Sequence, residues 1–327
     1  MSLDGKLIFV AGATGLVGSN VVNEILERHP GARLRGGFYS HTPPFIRNER
    51  IEYVYADLTS PEECRMAVQG CDCAIMAATA NAGGAATAVT YPWGRVTDTL
   101  VMNARLLEAF FLEHVRRVVC LGSITAYQEY AGPICEDALD LNQDPHPAYF
   151  GIGWVVRFIE KLCQFWHDRA GMETLVVRAA NVFGPYARFD PSTSNFIPAL
   201  IRRAVDRADP FEVWGSPDVT RDVIFSKDFA EAVVLLLGRE EIKHDVFNVG
   251  SGTPTTVADA VSWALKHAGH QPGQITYLPG KPVTNRFRAL DCSKVQRALG
   301  WQPRCTVEEG IRATSEWWVQ NRHWWKK

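Results

Sequence analysis

One segment near the start of the chain constrains the fold more than any other. It begins with a short apolar run, 7–11, which is rich in β-formers and too short for a buried helix, and so predicts a buried parallel strand. An amphipathic helix is predicted to follow from about Leu16 to Arg28. The turn between these elements and the start of the helix carry three glycines, Gly12, Gly15 and Gly18.

A strand, a glycine turn and a helix in this order are the context of a dinucleotide-binding fingerprint. Gly12 permits a tight turn, Gly15 lets backbone amides approach a pyrophosphate, and Gly18 lets the helix pack closely on the strand. The helix N-terminus adds partial positive charge near the phosphates. We therefore predict that this turn binds a dinucleotide. The predicted contact residues are Gly12, Thr14, Gly15, Leu16 and Val17.

Composition argues against several other classes of protein. The 327 residues carry a net charge of −2, so no basic field favours nucleic-acid binding. No apolar run is long enough to cross a bilayer, and the start of the chain lacks a signal-peptide pattern. The eight cysteines have no metal-ligand spacing, so we expect no metal site and small core thiols in a reducing cytoplasm.

Strands and helices alternate through the first half of the chain, which predicts a doubly wound parallel sheet, an α/β fold of the Rossmann type. Strands are predicted at 34–39, 51–56, 73–78, 117–121 and 174–178. Helices are predicted at about 97–114, 153–170, 196–207, 227–237 and 257–268, and the tryptophan-rich C-terminal segment predicts a docking helix. We expect a dinucleotide-binding domain at 1–180 and a smaller, mixed, mainly substrate-binding domain at 181–327, interleaved with the first.

The residues that follow the predicted strands indicate how the cofactor is held. An NAD-binding protein usually carries Asp or Glu at the end of the second strand for the ribose hydroxyls, and this chain has none there. Ser40, His41 and Arg47 can receive a 2′-phosphate instead, which favours NADP, with NAD as the alternative. The small residues Ala77 and Ala78 let the end of the fourth strand pass beside the dinucleotide.

Motifs along nearly the whole chain resemble the extended short-chain dehydrogenase/reductase family, the NAD(P)-dependent sugar-nucleotide epimerases, dehydratases and reductases. These motifs are Gly12-x-x-Gly15-x-x-Gly18, Asp57-Leu58, Asn181-Val182-Phe183-Gly184-Pro185, Trp214-Gly215 with Arg221-Asp222, Phe247-Asn248-Val249-Gly250 and Leu299-Gly300-Trp301. Strings at 90–92, 121–123, 161–163 and 195–201 resemble the GDP-L-fucose synthase branch, whose members are 4-keto-6-deoxy-sugar epimerase/reductases.

This resemblance implies roles for particular residues. Asp57 and Leu58 are expected to contact the adenine, and the Asn181 loop is expected to face the substrate. The Arg221 segment resembles the one whose arginine holds a nucleotide diphosphate, and further arginines can clamp the same group through charge-assisted bonds. The expected substrate-binding residues are therefore Asn181, Arg221, Arg286 and Arg288.

The chain departs from the family at its acid–base residues. The family uses Tyr-x-x-x-Lys on one helix, where the Lys lowers the Tyr pKa so that the Tyr exchanges a proton with a sugar oxygen. Counting back without gaps from 161–163 puts Ile152 and Val156 at these two positions. The other register uses Tyr149 and puts Gly153 at the Lys position. The Lys is absent in both registers.

Two hypotheses follow from this departure. In the first, the chain is an atypical enzyme on a nucleotide-linked hexose, GDP-linked by preference, and works through a 4-keto sugar. Ser123, retained after the fifth strand, would then polarise the sugar oxygen, and Tyr149 would carry the proton. Further proton-carrier candidates are Thr125, Tyr127, Tyr186 and Asp190, of which Asp190 is matched to the branch's general-acid His. In the second, the chain binds its ligands without turnover, as a sensor or scaffold.

The Asn181 and Arg221 regions keep the family pattern, which favours the enzyme hypothesis. Another family residue is altered, because Thr99 stands where the preceding helix usually carries Asn. The family is often dimeric through two helices, so a homodimer through 97–114 and 153–170 is also expected.

Overall fold

The computed structural model describes residues 3–39, 44–80, 92–278 and 289–325. Within these ranges seven strands form one sheet in the order β10-β6-β5-β4-β1-β2-β3, with every neighbouring pair parallel. They are β1 (Leu7–Ala11), β2 (Arg33–Phe38), β3 (Ile51–Tyr55), β4 (Cys73–Met76), β5 (Arg117–Ser123), β6 (Glu173–Ala179) and β10 (His244–Val249). The predicted doubly wound α/β fold is confirmed.

Helices cover both faces of this sheet. On one face lie α1 (Leu16–Arg28) and α6 (Ser226–Gly238); on the other lie α2 (Pro61–Val68), α3 (Pro92–Leu112) and α4 (Phe150–Ala170). Strands with two covered faces must be apolar on both sides, and Phe9 and Val10 of β1 accordingly belong to opposite faces and are fully buried. The packing of both layers therefore holds β1 rigidly beneath the glycine turn.

The strand order reverses between β1 and β4. From β1 the sheet grows outward through β2 to β3, and from β4 it grows the other way through β5 and β6 to β10. The connections after β1 and β4 leave in opposite directions, which opens a crevice at the carboxyl ends of these strands. Ligands of such sheets bind in this crevice, so the glycine turn and the residues after β4 and β5 lie where a site is expected.

The second half of the chain contributes to two parts of the molecule. β10 belongs to the large sheet and α6 packs on one of its faces. The other strands of this half form a three-stranded sheet, β11-β9-β7, and a two-stranded sheet, β12-β8. These strands are β7 (Asn181–Phe183), β8 (Phe211–Trp214), β9 (Thr220–Phe225), β11 (Pro254–Thr256) and β12 (Ile275–Leu278). The remaining helices are α5 (Phe196–Val205), α7 (Val257–Ala268), α8 (Ser293–Leu299) and α9 (Val307–Asn321).

The C-terminal helix α9 docks on this smaller part of the protein. A capping box between Thr306 and Glu309 begins the helix. Near its end, Trp318 stacks on Phe189 with ring centroids 4.2 Å apart, and both side chains are buried. The helix thus shares an apolar core with α5 and α7, separate from the two cores on the faces of the large sheet. No helix in the described ranges is both long and apolar enough to cross a membrane.

Candidate active site

The glycine turn brings the backbones of β1 and β4 almost into contact. Gly12 has a φ of +73°, and a methyl group added to it would lie 2.8 Å from the Cα of Ala78. A methyl group on Gly18 would overlap the carbonyl oxygen of Gly12. The Gly12 amide donates to the Gly37 carbonyl of β2 at 2.9 Å, which fixes the turn. Only glycine fits at these two positions, and the small Ala78 completes the close approach.

The start of α1 is available to an anion. Gly15 caps the helix, so no side chain bonds to the amides of the first turn, and no acidic residue lies in that turn. The first-turn amides, which include those of Leu16 and Val17, have no carbonyl partner within the helix. Their dipoles favour a phosphate at this point. The turn therefore has the shape and the donors that the pyrophosphate of a dinucleotide needs.

The far side of this crevice, at the ends of β2 and β3, carries Asp57. Its Oδ1 accepts bonds from the Thr59 amide at 2.9 Å and the Thr59 hydroxyl at 2.7 Å, which hold the pKa of Asp57 below its usual value. Asp57 is therefore ionised at neutral pH, and the next residue, Leu58, is buried. Among the predicted 2′-phosphate ligands, Arg47 is exposed, whereas Ser40 and His41 lie outside the described residues.

Two hydroxyl groups lie together where β5 ends. Ser123 caps a 3₁₀ turn over Ile124–Ala126, and its Oγ accepts a bond from the Thr125 amide at 3.2 Å. The Thr125 Oγ1 is buried and has no hydrogen-bond partner among the described residues. A buried hydroxyl without a partner costs about 1–3 kcal/mol and indicates a ligand or water that completes it. Since β5 is adjacent to β4, this pair lies two strands from the glycine turn, about 10 Å away.

Helix α4 packs directly against the turn that carries these hydroxyls. A methyl group added to Gly153 would lie 2.7 Å from the Thr125 carbonyl oxygen, so only glycine allows this approach. Tyr149, four residues earlier, caps the helix and shares the face of Gly153, with its ring centroid 6.1 Å from that of His146. Tyr149 therefore remains a candidate at the start of α4, and its role as a proton carrier remains a prediction.

The positions that carry Tyr and Lys in the gap-free register are aliphatic and packed. Ile152 contacts the apolar core beneath α4, and Val156 is buried. The next residue, Arg157, is a cation, but its Nε donates to the Ala126 carbonyl and its Nη1 to the Gln143 carbonyl, each at 2.6 Å. Arg157 therefore fixes the helix to the 3₁₀ turn and does not replace the missing Lys.

A buried polar network holds the same region from the other side. Arg178 of β6 forms two bonds to the Glu160 carboxylate of α4, at 2.9 and 2.8 Å, and a third to the Tyr127 hydroxyl at 2.8 Å. Tyr127 in turn donates to the Asn248 side chain of β10 at 2.7 Å. Burial alone would lower the pKa of Arg178, but the paired Glu160 raises it, so the guanidinium stays charged. Sequence reasoning did not find this network.

The network removes Tyr127 from the set of proton carriers. Its side chain is buried, and burial raises the pKa of Tyr127 far above neutral. Both its donor and its acceptor capacity are used inside the protein, by Asn248 and Arg178. The prediction of Tyr127 as a proton carrier is therefore wrong: it is a structural group that locates the turn after β5.

The other two candidates lie in the loop after β7. Asp190 accepts bonds from the amide and hydroxyl of Ser192, which hold its pKa below the usual value, so it has no proton to donate at neutral pH. Tyr186 has a φ of +70°, and its hydroxyl accepts a bond from Asn23 of α1 at 3.0 Å. The loop is thus fastened to α1, and Asp190 fits a base or a turn-forming residue better than an acid.

Strand β9 separates a structural carboxylate from a candidate ligand cation. Asp222 is completely buried, and its carboxylate accepts bonds from the amides of Ser251 at 2.9 Å and Leu290 at 3.0 Å. Burial raises the pKa of Asp222, which these bonds oppose. Because side chains alternate along a strand, Arg221 points to the opposite face, half-buried, and donates to the Thr220 carbonyl at 2.8 Å.

Asn181 lies near this strand. It is exposed at the start of β7, and its Nδ2 donates to the Asp222 carbonyl at 3.2 Å. Since β7 pairs directly with β9, Asn181 and Arg221 lie on neighbouring strands of one small sheet. The other two predicted substrate ligands, Arg286 and Arg288, lie outside the described residues.

Comparisons with known proteins agree with this geometry. The chain is 29% identical to the GDP-L-fucose synthase of Sinorhizobium fredii (strain NBRC 101917 / NGR234), over 98% of this chain and 97% of the relative. The UDP-glucose 4-epimerase of Thermotoga maritima has the same fold, with a TM-score of 0.84 at 22% identity over 97% of this chain and 99% of that one. The structure of MoeE5 in complex with UDP-glucose and NAD also has this fold. Its TM-score is 0.82 at 23% identity, over 96% of this chain and 99% of that one.

The family model that matches covers residues 8–250, from β1 to the end of β10. This range includes the glycine turn, the hydroxyl pair after β5, the altered helix α4 and the strands β7 and β9 that carry Asn181 and Arg221. The resemblance predicted from the motifs is confirmed: the chain belongs to the NAD dependent epimerase/dehydratase family.

Proposed function

We propose that this protein binds NAD(P) and a nucleotide-linked hexose, GDP-linked by preference, and acts on the sugar through a 4-keto intermediate as an atypical epimerase, reductase or dehydratase. The observation that carries the proposal is that the glycine turn after β1 and the Ser123–Thr125 hydroxyl pair after β5 lie at the same edge of the sheet. A dinucleotide bound along this edge would reach from one to the other. The family and the GDP-L-fucose synthase relative support the substrate class.

The residues of the chain would divide the work as follows. The bound nicotinamide would supply hydride transfer, which proximity alone accelerates. The Ser123 hydroxyl would bind the reacting sugar oxygen. The Thr125 hydroxyl, which has no partner among the described residues, would form its hydrogen bond to the bound ligand there. Tyr149 would carry the proton from the start of α4. Because no Lys stands at the family position beside this Tyr, proton transfer would be inefficient and turnover would be slow.

The alternative function is binding without turnover, in a regulatory or scaffolding role. The observation that favours it is the packed aliphatic pair on α4, because neither Ile152 nor Val156 can move a proton. Both proposals require intact ligand binding, so they differ only in whether the sugar is changed. A measurement that follows the sugar separates them.

The substrate side of the proposal is tested by replacing Arg221 with Ala. We expect binding of a GDP-hexose to weaken by about 1.5–3 kcal/mol, the scale of a hydrogen bond to a charged group, while dinucleotide binding stays unchanged. Isothermal calorimetry with GDP-mannose and NADPH measures both. Arg65→Ala, which removes an exposed partner of Glu113, is the matched control and should change neither affinity. Unchanged GDP-mannose affinity in Arg221→Ala would remove Arg221 from the site.

For the cofactor we propose NADP, with NAD as the alternative. The support is the absence of a carboxylate at the end of β2, together with Ser40, His41 and Arg47 after it. Calorimetric titration with NADPH and NADH gives the preference directly. The eight cysteines are unpaired thiols and most are buried, which supports a reducing compartment such as the cytoplasm.

We also propose a homodimer through α3 and α4. Four aromatic side chains on one face of α4 are each at least a third exposed, an unusual apolar stripe for a lone subunit: Phe150, Trp154, Phe158 and Phe165. Their spacing of four, four and seven residues puts them in one row. Phe111 and Leu112 at the end of α3 are also exposed. A second copy of the chain would cover this surface.

Replacing Phe158 with Glu should break this dimer. A charge buried in the apolar centre of an interface costs about 2 kcal/mol or more, so the dissociation constant should rise at least about 30-fold. Light scattering after gel filtration measures the mass of each species. Met66→Glu, at another exposed apolar site, on α2, is the control and should remain dimeric. A wild-type protein that runs as a monomer at micromolar concentration would refute the homodimer.

A further inference from the structure

Two tyrosine rings stay exposed at the carboxyl ends of β2 and β3. Tyr39, the first residue after β2, is 57% exposed, and Tyr55, the last residue of β3, is 58% exposed. Their ring centroids are 5.4 Å apart and their planes are inclined by 31°, so they form a tilted tyrosine pair. Apolar rings grouped in water are unfavourable unless a ligand covers them. None of the roles described above uses this pair.

The tyrosine pair is supported from below. Phe38 meets Tyr55 edge to face at 5.7 Å and Tyr53 at 6.4 Å. The Tyr53 hydroxyl donates to the Ile46 carbonyl at 3.0 Å, which holds this second row of rings in place. The Tyr39 phenol lies near the Asp57 carboxylate, whose charge raises the pKa of Tyr39 and keeps the phenol neutral. The pair is therefore a preformed surface.

The position of the pair fits the adenine of a dinucleotide. In folds of this class the residue at the end of β2 meets the adenosine ribose, so the adenine lies over the ends of β2 and β3. The glycine turn, where the pyrophosphate would bind, follows β1. This strand is next to β2 in the sheet and about 5 Å from it. A dinucleotide whose phosphates bind at the glycine turn would therefore place its adenine over Tyr39.

We propose that Tyr39, backed by Tyr55, stacks on the adenine ring of the bound dinucleotide and supplies much of the affinity for its adenosine half. The proposal rests on the dinucleotide site proposed above and names a chain-specific ligand within it. Stacking has a clear purpose here, because the chain lacks the acid that would bind the ribose hydroxyls at the end of β2. An exposed aromatic face binds a base without needing a hydrogen-bond partner.

The test is calorimetric titration of the full-length protein with NADPH, ADP-ribose and GDP-mannose. Tyr39→Ala should raise the Kd for NADPH and for ADP-ribose about 5- to 100-fold, the range of one base–aromatic stack. Tyr39→Phe keeps the ring and should stay within about threefold of wild type. GDP-mannose affinity and the melting temperature should be unchanged in both, because the side chain is exposed and follows β2 of the large sheet, whereas the predicted substrate residues Asn181 and Arg221 lie on the small sheet.

Three results would overturn the proposal, and they point to different failures. Wild type that binds no dinucleotide refutes the dinucleotide site and the stacking together. Dinucleotide binding that is unaffected by Tyr39→Ala refutes the stacking alone. Equal losses in Tyr39→Phe and Tyr39→Ala show that the hydroxyl, and not the ring, makes the contact.

Discussion

Replacing Ile152 with Tyr and Val156 with Lys together should raise the rate of proton exchange on a bound 4-keto sugar by about 10²–10⁴-fold, the usual contribution of a positioned acid–base group. The two positions are four residues apart and therefore share one face of α4. The position of α4 is already fixed, because Arg157 donates a hydrogen bond to the Ala126 carbonyl and Glu160 accepts one from Arg178. A Lys at 156 would lower the pKa of the new Tyr, as in the family pattern.

The rate is measured as deuterium entry beside the keto group in deuterated water. Ile152→Phe with Val156→Met adds comparable bulk without ionisable groups and is the matched control, for which we expect no gain. Either single replacement should gain less than the pair, because the Tyr and Lys act as a unit. A double variant that is folded, binds both ligands and is no faster than wild type would show that the missing pair does not limit the chemistry.

Replacing Arg178 with Ala should destabilise the protein by about 3–5 kcal/mol, because it leaves the Glu160 carboxylate buried without its partner. The side chains of Arg178 and Glu160 are each less than a tenth exposed. The replacement also removes the hydrogen bonds that Arg178 donates to the Tyr127 hydroxyl and the Glu136 carbonyl. Urea unfolding measures the change as a shift of the midpoint at constant slope. Since the network locates the turn after β5, we also expect weaker dinucleotide binding.

A surface ion pair provides the control for this prediction. Arg105 and Glu108 of α3 pair at 2.9 Å with both side chains almost half exposed, so Arg105→Ala should cost less than about 1 kcal/mol. Glu160→Gln with Arg178→Met removes both charges and should recover part of the stability lost in Arg178→Ala. Equal unfolding midpoints for Arg178→Ala and Arg105→Ala would contradict the structural role of the network.

Local sequence signals predicted many of the regular elements closely, although β10 of the large sheet was not predicted. The helix predicted at 257–268 has these bounds as α7, and β2 to β6 lie within about two residues of their predicted ranges. Helix α2 was not predicted, although Ser60 and Pro61, followed by two glutamates, carry a helix-start signal. The short strands β7, β9 and β11 give no period of their own, because three to six residues among turns are too few to show one.

The candidate site was less predictable, because its polar groups are joined over long chain distances. Tyr127 has the chemistry of a proton carrier, but its partners Arg178 and Asn248 lie 51 and 121 residues away. Asp222 and Arg221 are neighbours in sequence, and only the folded structure shows that Asp222 is fully buried while Arg221 lies half-buried on the opposite face of β9. The tyrosine pair has no motif, and its exposure appears only in the folded structure.

The central claim is that a rearranged site still turns over a nucleotide sugar. The most direct test incubates the purified protein with NADPH and GDP- or dTDP-linked 4-keto-6-deoxyhexoses in deuterated water, and follows NADPH absorbance and deuterium beside the keto group. We predict slow but measurable NADPH loss or deuterium uptake, reduced further in Tyr149→Phe. Neither signal, in protein shown by calorimetry to bind NADPH and the sugar nucleotide, would contradict the claim and support binding without turnover.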